Sequence, residues 1–474
     1  MTMSDRQTSA KDIIPPHNPS LKGREGRGLC RKLFAVFSLF AVFCVLSTDV
    51  FALEVNRKVL PNGLVVLHTE KHALPIVMMT LLIKVGEINE SANKAGLAYL
   101  TAELLTEGTK QRNALGVSEE IEFIGASLDA SAERDYTTIS LSVLKKDINK
   151  GFDLFSDILL NPTFPQEEIE RKRKLIKGFL RQQEEDPSFL AGLAFRKEVF
   201  GEHPYGRLME GSVETLDAVT REDISHFYSE FFLPRNSILS VVGDLTEEEV
   251  DLLIEKYLSG WKKADLPPIT VERVSDRINK KLVKINKDLK QANIIIGNLG
   301  IGRDNPDYYA VSVMNYILGG GGFTSRLMQS VRDEMGLAYD IHSFFASYKQ
   351  GGMFQVGSQT KNESANTVIQ EILRQIERIR KEEVTDEELS DARSYLTGSF
   401  PRRLDTNRKI ADFLALVEFY DLGLDYIEKY PQYINAVTKK DVLRVANKYL
   451  DTKNYVLVVV ADQEKAHIRD TYSK

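Results

Sequence analysis

The sequence predicts two homologous α+β domains, on the basis of an internal duplication and a mixture of strand and helix patterns. An acid pair and a following glycine, within residues 167–178, recur 220 residues later at residues 387–398 with the same interval. A helix-start pattern that leads to an apolar strand also recurs, first at residues 220–223 and then at residues 438–441. These preserved intervals indicate that one fold occurs twice.

Each half contains both strand and helix signals. Residues 138–143 alternate polar and apolar side chains, which predicts a strand with Ile139, Leu141 and Val143 facing inward. The next segment carries an apolar stripe at helical spacing that ends at Asn161-Pro162, and its members are Ile148, Phe152, Phe155 and Leu159. In the second half, residues 354–358 predict a strand before a helix with the apolar stripe Val368, Ile369, Ile372, Ile376 and Ile379. Thr385 and Glu388 form a capping pattern for the helix after that.

The length and composition fit a folded protein of more than one domain. The chain has 474 residues, of which 43% are hydrophobic and 27% are charged. Residues 261–281 are charged, contain two adjacent prolines and lack periodicity, so they predict an exposed linker. We therefore expect an N-terminal domain over residues 53–260 and a C-terminal domain over residues 282–474.

The first 52 residues predict an export signal. A basic stretch precedes the apolar run 33–46, and Ala52 suits small-residue cleavage. The run is short for a bilayer span, although an uncleaved anchor is the alternative. Both cysteines, Cys30 and Cys44, lie in this leader, so the mature chain has no thiol for disulfides, zinc binding or catalysis. Export of this kind indicates the bacterial periplasm.

The charge of the chain argues against nucleic-acid binding. The full chain has 62 Lys and Arg against 68 Asp and Glu, which gives −6. Removing the leader takes away 7 basic and 4 acidic residues, which leaves 55 − 64 = −9.

The stretch 95–110, AGLAYLTAELLTEGTK, resembles part of the pitrilysin, insulinase and mitochondrial processing peptidase family. Active members of that family carry Gly-x-x-His-x-x-Glu-His followed by Gly-Thr. The matching segments extend over almost the whole chain beyond the leader, and they are Gly96, 108–109, 125–128, 134–136, Pro165, 186–187, 203–206 and 242–244. The resemblance implies that each domain is a mostly antiparallel sheet packed with helices, and that the two domains form a pair of half-shells.

By this resemblance the zinc motif of the chain is degenerate. In a helix, two histidines four residues apart can hold one Zn²⁺ while the glutamate between them acts on the bound water. Here Tyr99, Ala102 and Glu103 occupy those three positions, and only Glu103 offers a ligand. The further glutamate of active relatives falls near Gly178 and Phe179, which cannot bind a metal. The alternative, from the residues alone, is an apolar packing helix.

Two histidines elsewhere in the first half give no metal site either. His68 and His72 lie in a strand-like stretch, where residues four apart are about 13 Å distant, so we expect that they do not share one metal ion. No Gly-x-Ser-x-Gly elbow indicates a serine mechanism.

The second half retains the other part of the family signature. Residues 323–327 and 332–339 resemble its Ser-Arg-Leu, Arg and Gly-Leu-Ala-Tyr motifs, in which the Arg and Tyr hold carbonyl oxygens of the substrate and of the tetrahedral intermediate. Arg332 and Tyr339 match these two positions, and both are donors that can stabilise a developing oxyanion. The alternative is an ordinary surface arginine and a packed tyrosine.

A run of four glycines precedes that signature: Gly319, Gly320, Gly321 and Gly322. No Gly-Lys-Ser/Thr follows, so a phosphate loop is not predicted and a flexible turn is. The resemblance places the run where noncatalytic subunits of processing peptidases have a glycine-rich loop that handles substrate.

These observations predict a noncatalytic, substrate-binding subunit of a heterodimeric zinc metallopeptidase. A homologous partner chain with intact His-x-x-Glu-His would hold the zinc, and this chain would bind no metal and supply Arg332 and Tyr339 in trans to a peptide or unfolded polypeptide. We expect metalloendopeptidase activity only from the complex. One alternative is a peptide-binding or scaffold protein of the same fold with no role in proteolysis. Another is an active metallopeptidase with unrecognised ligands around Glu103.

Overall fold

The computed structural model describes residues 53–267, 274 and 278–471. The predicted signal peptide lies outside this part of the chain, as do residues 268–273 and 275–277 of the predicted linker. Among the described helices, none combines the length and apolar composition that crossing a bilayer requires.

The first half is built on a sheet that has six strands within the described residues. They are β1 (Asn56–Val59), β2 (Val65–Glu70), β3 (Ile76–Ile83), β4 (Ser127–Ala132), β5 (Thr137–Leu144) and β6 (Ser237–Gly243). Their order is β1-β2-β6-β3-β5-β4, and all neighbours are antiparallel except β2 and β6. In β5 the side chains of Ile139, Leu141 and Val143 are buried, which confirms the predicted alternation.

The second half repeats this sheet, with five strands within the described residues. They are β7 (Lys281–Asn286), β8 (Gln291–Leu299), β9 (Ala338–Ser347), β10 (Gly352–Lys361) and β11 (Val456–Ala461). Their order is β7-β11-β8-β10-β9, and only β7 and β11 are parallel. The order and the position of the parallel pair match β2-β6-β3-β5-β4, so the predicted duplication is confirmed.

The helices of the first half follow the predicted apolar stripes and caps. They are α1 (Leu97–Leu104), α2 (Ala114–Phe123), α3 (Ile148–Leu160), α4 (Gln166–Gln183), α5 (Pro187–Phe200), α6 (Val213–Ala218), α7 (Arg221–Phe231) and α8 (Glu247–Leu258). The stripe predicted before Asn161 lies on α3 and is buried. Thr220 and Asp223 form the capping box of α7.

The helices of the second half are α9 (Tyr308–Asn315), α10 (Ala365–Lys381), α11 (Asp386–Ser399), α12 (Asn407–Phe419), α13 (Tyr426–Ala436), α14 (Lys439–Tyr449) and the short α15 (Gln463–Ala466). The apolar stripe predicted after residue 358 lies on α10 and is buried. Capping boxes are present at Thr385 of α11 and at Thr438 of α14. The last corresponds to that of α7, which again reflects the duplication.

The two halves exchange one helix each. Helix α5, from the first half, covers β8 and β11 of the second sheet, and Phe195 is fully buried there. A Cβ on Gly297 would come within 2.9 Å of the Phe195 ring, so the glycine gives the ring its place. Helix α12, from the second half, covers β3 and β6 of the first sheet through buried side chains such as Leu414 and Phe419. Because each sheet takes its cover from the other half, the two halves share a core.

The predicted linker begins later than expected. Trp261 is only 5% exposed and packs in the core of the first half, and its Nε1–H donates to the carbonyl oxygen of Phe232 at 2.9 Å. The interpretation of Trp261 as part of an exposed linker is therefore wrong, because its indole packs in the core of the first half. At the other end, Lys281 is the first residue of β7.

Candidate functional site

Helix α1, which carries the degenerate motif, is a short packing helix capped by a buried glutamate. Glu90 is 7% exposed, and its two carboxylate oxygens accept hydrogen bonds from the backbone N–H groups of Gly96 (2.9 Å) and Ala98 (2.5 Å). Burial raises the pKa of Glu90 well above its usual value, although the two backbone hydrogen bonds act in the opposite direction. The side chain satisfies helix N–H groups that would otherwise be left without partners.

The three motif positions of α1 provide little for a metal ion. Ala102 is buried, while Tyr99 and Glu103 are partly buried and, being four residues apart, lie on one face of the helix. Burial raises the pKa of Tyr99, and the carboxylates of Glu103 and Glu210 raise it further. The phenol therefore stays protonated at neutral pH and is a poor ligand.

The carboxylate of Glu103 is already bound to a cation from the chain itself. Lys172, on α4, places its ammonium 2.9 Å from Glu103 Oε2 and 2.9 Å from Glu107 Oε1. Burial lowers the pKa of Lys172, but hydrogen bonds to the two carboxylates outweigh it and the net shift is upward. Arg171 also donates to Glu107 and to Glu168, so these carboxylates are all paired with cations of the chain itself.

A zinc ion does not fit these residues. Among the three motif positions, only Glu103 offers a zinc ligand, and the ammonium of Lys172 lies beside its carboxylate. The positive charge of this ammonium opposes the binding of a metal cation there. On α4, Phe179 is 45% exposed and, with Gly178, brings no ligand. Within the described residues no group of three His, Cys, Asp or Glu side chains is arranged to hold a metal.

His68 and His72 have separate partners, and His72 lies beyond the end of β2, so the spacing expected for a strand does not apply to it. His68 is buried on β2, and its Nε2 lies 3.0 Å from the carbonyl oxygen of Leu245; burial lowers its pKa. His72 is exposed, and its Nδ1 lies 2.6 Å from Asp244, which raises its pKa.

The second half brings Arg332 and Tyr339 together. The guanidinium carbon of Arg332 lies 4.8 Å from the centre of the Tyr339 ring and 4.6 Å from the centre of the Phe323 ring. Both rings are unusually open to solvent, Phe323 being 65% and Tyr339 82% exposed. We call these three residues the aromatic–arginine cluster. The packed-tyrosine alternative is wrong, because most of the Tyr339 side chain contacts solvent.

Two helical segments with wide, π-type turns frame this cluster. The first, Tyr316–Gly320, ends with the N–H of Gly321 donating to the carbonyl of Tyr316, and the second, Met328–Glu334, carries Arg332. Wide turns of this kind insert an extra residue into a helix and occur often at functional sites. Here the second one carries Arg332, whose guanidinium faces the ring of Phe323.

The glycine run passes from the interior to the surface: Gly319 is buried, Gly321 is partly buried, and Gly320 and Gly322 are exposed. A Cβ on Gly319 would lie 2.5 Å from Ser343 Oγ, one on Gly320 would lie 2.5 Å from an Asn315 nitrogen, and one on Gly321 would lie 2.7 Å from a backbone oxygen. Gly322 has a φ of +59° and open space around it. The left-handed backbone turn of the run lies at Gly322, and the flexibility of the run stays a prediction.

The degenerate motif and the aromatic–arginine cluster lie in different domains. Glu103 lies on α1 of the first half, whereas Arg332 lies in the segment Met328–Glu334 and Tyr339 on β9 of the second half. Among the described residues, no hydrogen bond, ion pair or ring contact joins the two groups. The chain therefore presents its two family-like sites separately.

A buried polar junction joins the two halves at positions that the sequence had marked only as family motifs. The Tyr205 hydroxyl donates to Asp135, and it accepts from the backbone N–H of Gln350 at 3.2 Å. The second oxygen of Asp135 accepts from the N–H of Lys349 at 3.0 Å. Both acceptors in the first half thus bind the β9–β10 turn of the second, and this junction stabilises the domain arrangement.

An ion pair lies next to this junction. Arg134 is buried, donates to Glu87, and stacks 5.5 Å from the centre of the Tyr348 ring. Burial raises the pKa of Glu87 to about 7, and Arg134 opposes that shift. Contacts between residues more than two hundred positions apart, such as Arg134 with Tyr348, have no local sequence signal.

Comparison with known proteins assigns both halves to one family. Residues 65–211 match "Insulinase (Peptidase family M16)", and residues 218–396 match "Peptidase M16 inactive domain". The chain belongs to the peptidase M16 family. This confirms the resemblance and the predicted α+β fold of two homologous domains.

Relatives of the M16 chain include bacterial proteins named as zinc proteases. An "uncharacterized zinc protease" of Mycobacterium leprae is 26% identical over 401 residues, covering 84% of this chain and 90% of that protein. Another, of Bacillus subtilis, is 23% identical over 75% of this chain and 86% of its own length. Neither name states how the protein is assembled.

Solved structures show the same fold. The peptidase M16 inactive domain from Pseudomonas fluorescens superimposes with a TM-score of 0.81 at 28% identity, over 86% of this chain and 98% of that one. A protease from Helicobacter pylori superimposes with a TM-score of 0.80 at 22% identity, over 86% and 99%.

Four features of the M16 site were not recognised in the sequence. Lys172 lies in a run of basic and acidic residues where no single lysine stands out. Glu90 binds backbone groups only six and eight residues further on, but no capping motif marks it, and the Tyr205–Asp135 junction joins residues 70 positions apart. Phe323 could have been singled out, because an aromatic residue directly follows four glycines.

Proposed function

We propose that this M16 chain is the noncatalytic, substrate-binding subunit of a heterodimeric zinc metallopeptidase. One observation carries the proposal: Lys172 forms an ion pair with Glu103 in the degenerate motif, whereas Arg332, 28% exposed, and Tyr339, 82% exposed, lie next to each other. The chain has thus lost the means to activate water and kept donors suited to a peptide. Zinc is expected only in the partner, which carries intact His-x-x-Glu-His.

The environment of Arg332 supports a role in binding. Its recorded ion pair is to the neighbouring Asp333 at 3.9 Å, which is long for a hydrogen bond, and its side chain is 28% exposed. A guanidinium with free N–H groups can donate to the carbonyl oxygens of a peptide and to the oxyanion that forms when water attacks. The hydroxyl of Tyr339 is a second exposed donor. Both would act in trans, at the metal site of the partner.

We call Arg332 and Tyr339 the clamp. If they bind the substrate, replacing either one should strongly slow peptide cleavage by the two chains together. The purified chain would be mixed with a catalytic M16 partner, and cleavage of a fluorogenic peptide would be followed. Arg332→Ala should lower kcat about a hundredfold, the usual loss for one oxyanion donor, and Tyr339→Phe should lower it in the same direction. Matched controls are Arg378→Ala, an exposed arginine on α10 paired with Glu382, and Tyr395→Phe, an exposed tyrosine.

The outcome of this assay separates the proposal from its alternative. If the two clamp variants and the two controls give the same rate as the unaltered chain, the proposed subunit role fails.

The second candidate is a peptide-binding or scaffold protein of the same fold with no part in proteolysis. The closed ion pair of Lys172 with Glu103 and Glu107 favours it as much as it favours a partner-dependent enzyme, because both lack a metal site. Peptide binding by the isolated chain, with no acceleration of any M16 partner, would support this candidate instead. Fluorescence anisotropy with the peptide of the cleavage assay measures that binding directly.

We also propose that the chain is exported to a bacterial periplasm. The basic and apolar patterns of residues 1–52 support this. Cell fractionation with the intact gene, and N-terminal sequencing for a start at Leu53, would test both export and cleavage; a cytosolic full-length protein would contradict them.

A further inference from the structure

The aromatic–arginine cluster contains one residue to which the proposed function assigns no role. Phe323 is 65% exposed, although most phenylalanines of the two cores are buried. Its ring faces the guanidinium of Arg332 with 4.6 Å between the guanidinium carbon and the ring centre, which is within the range of a cation–π contact. A ring that packs on the guanidinium restricts the positions that the Arg332 side chain can adopt.

The guanidinium of Arg332 depends on rings for its position. Within the described residues, its recorded partners are the rings of Phe323 and Tyr339 and the carboxylate of Asp333 at 3.9 Å. A long, flexible side chain with no short hydrogen bond samples many rotamers unless packing restricts it. The two rings restrict it without using its N–H groups, which stay free for a ligand.

The glycine run fixes the place of Phe323. Residues 319–321 leave no room for a Cβ because they lie against Ser343, Asn315 and Tyr316. Ser343 and Asn315 are themselves joined, since Ser343 Oγ donates to Asn315 Oδ1 at 2.8 Å.

Hydrogen bonds hold the turn that follows. Ser325 Oγ donates to the carbonyl of Gly322 at 2.7 Å, and Thr324 Oγ1 donates to that of Gly321 at 3.1 Å. With the left-handed φ of Gly322, these contacts present the Phe323 ring at one place on the surface.

We propose that Phe323 is a positioning residue for Arg332, held in place by the turn that ends the glycine run. This inference rests on the proposed function, because it assigns Phe323 a role in the same clamp. In this arrangement the ring holds the guanidinium plane so that its N–H groups point away from the protein toward the bound peptide. Gly319 contributes to this placement, because a Cβ there would lie 2.5 Å from Ser343 Oγ on β9.

A double-mutant cycle in the two-chain cleavage assay tests this coupling. Phe323→Ala should lower kcat/KM by about two- to fivefold, the factor that one exposed cation–π contact supplies. The double variant Phe323→Ala/Arg332→Ala should be no slower than Arg332→Ala alone, because the ring acts only through the arginine. Phe323→Tyr should restore the rate, since it keeps an aromatic face.

The matched control is Phe123→Ala, which removes another exposed phenylalanine, 90% open to solvent on α2. Its effect should be small, and it should add to that of Arg332→Ala. If the effects of Phe323→Ala and Arg332→Ala are additive, the positioning role is refuted even though the clamp itself stands. If Arg332→Ala has no effect at all, the proposed function fails first.

An NMR measurement on the isolated chain tests the positioning role of Phe323 separately from the proposed function. Aromatic ring currents shift the NMR signal of a guanidinium Nε–H that lies over a ring. The Arg332 Nε–H signal should be shifted upfield in the unaltered protein and should move toward the ordinary arginine position in Phe323→Ala but not in Phe123→Ala. An unchanged signal in Phe323→Ala would overturn the inference without reference to any peptidase partner.

Discussion

Replacing Lys172 with methionine should destabilise the protein by about 1–2 kcal/mol. The ammonium binds Glu103 and Glu107, each at 2.9 Å, and the three side chains are 17%, 32% and 13% exposed. Pairs in full solvent contribute about 0–1 kcal/mol, and breaking a fully buried pair costs about 3–5 kcal/mol. This cluster lies between these limits. Because Arg171 still binds Glu107 in the variant, we expect the lower part of the interval.

The pH dependence follows from the direction of the pKa shift. The pKa of Lys172 is raised in the folded protein, so its contribution is fully present below the unfolded value of about 10.4 and is lost as the pH rises through the folded value. The difference in stability between the unaltered protein and Lys172→Met should therefore be constant from neutral pH to about pH 9 and should shrink above about pH 10.5.

Urea unfolding followed by tryptophan fluorescence measures this difference. The chain has one tryptophan, Trp261, which is buried in the core of the same half, so its emission reports on the domain that contains Lys172. Lys174→Met is the matched control, since Lys174 is an exposed lysine of the same helix. The reasoning is refuted if Lys172→Met is as stable as Lys174→Met, or if Glu103→Gln and Lys172→Met have additive effects.

Three further predictions concern the Tyr205–Asp135 junction, the buried carboxyl group of Glu87 beside it and the degenerate zinc motif. Tyr205→Phe should lower the free energy of unfolding in urea by about 1–3 kcal/mol, because Asp135 and the N–H of Gln350 lose a buried partner. The control Tyr395→Phe should lower it little. Equal losses would contradict the role of the junction. Burial raises the pKa of Glu87 to about 7, so its contribution to stability is present below about pH 4.5 and is lost by about pH 7. Glu87→Gln should therefore flatten this part of the curve of unfolding free energy against pH. An unchanged curve would disprove the assignment. The fourth prediction uses a chain with Tyr99→His, Ala102→Glu, Glu103→His and Phe179→Glu. Calorimetry should show that this chain binds zinc more weakly than the same chain with Lys172→Ala added, because the ammonium of Lys172 opposes a cation. Equal affinities would show that the ammonium does not oppose a metal.

The repeated fold could be predicted because its signals are local. Capping boxes at Thr220 and Thr438 and the alternation of β5 depend on neighbours within a few residues, and each is present as expected. The exchange of α5 and α12 could not be predicted in this way. An amphipathic helix carries information on which face is apolar, and none on which of two similar sheets it covers.

The same limit applies to the candidate sites: the sequence states the chemistry of each side chain, but not the contacts that form when distant segments pack. The absence of ligands at Tyr99 and Ala102 follows from side-chain chemistry, which sequence states directly. That Lys172 takes the place beside Glu103 depends on how α1 and α4 pack. Likewise, the motif spacing marks Arg332 and Tyr339, but the contact with Phe323 depends on the folded glycine run.

The zinc content of the purified chain tests the central claim most directly. The protein would be incubated with a slight excess of Zn²⁺, passed through a desalting column and analysed by atomic emission, with Glu103→Gln treated in parallel. We predict only trace zinc in both samples, because Lys172 already neutralises the one available carboxylate. One zinc ion per chain in the unaltered protein, and its loss in Glu103→Gln, would contradict the account.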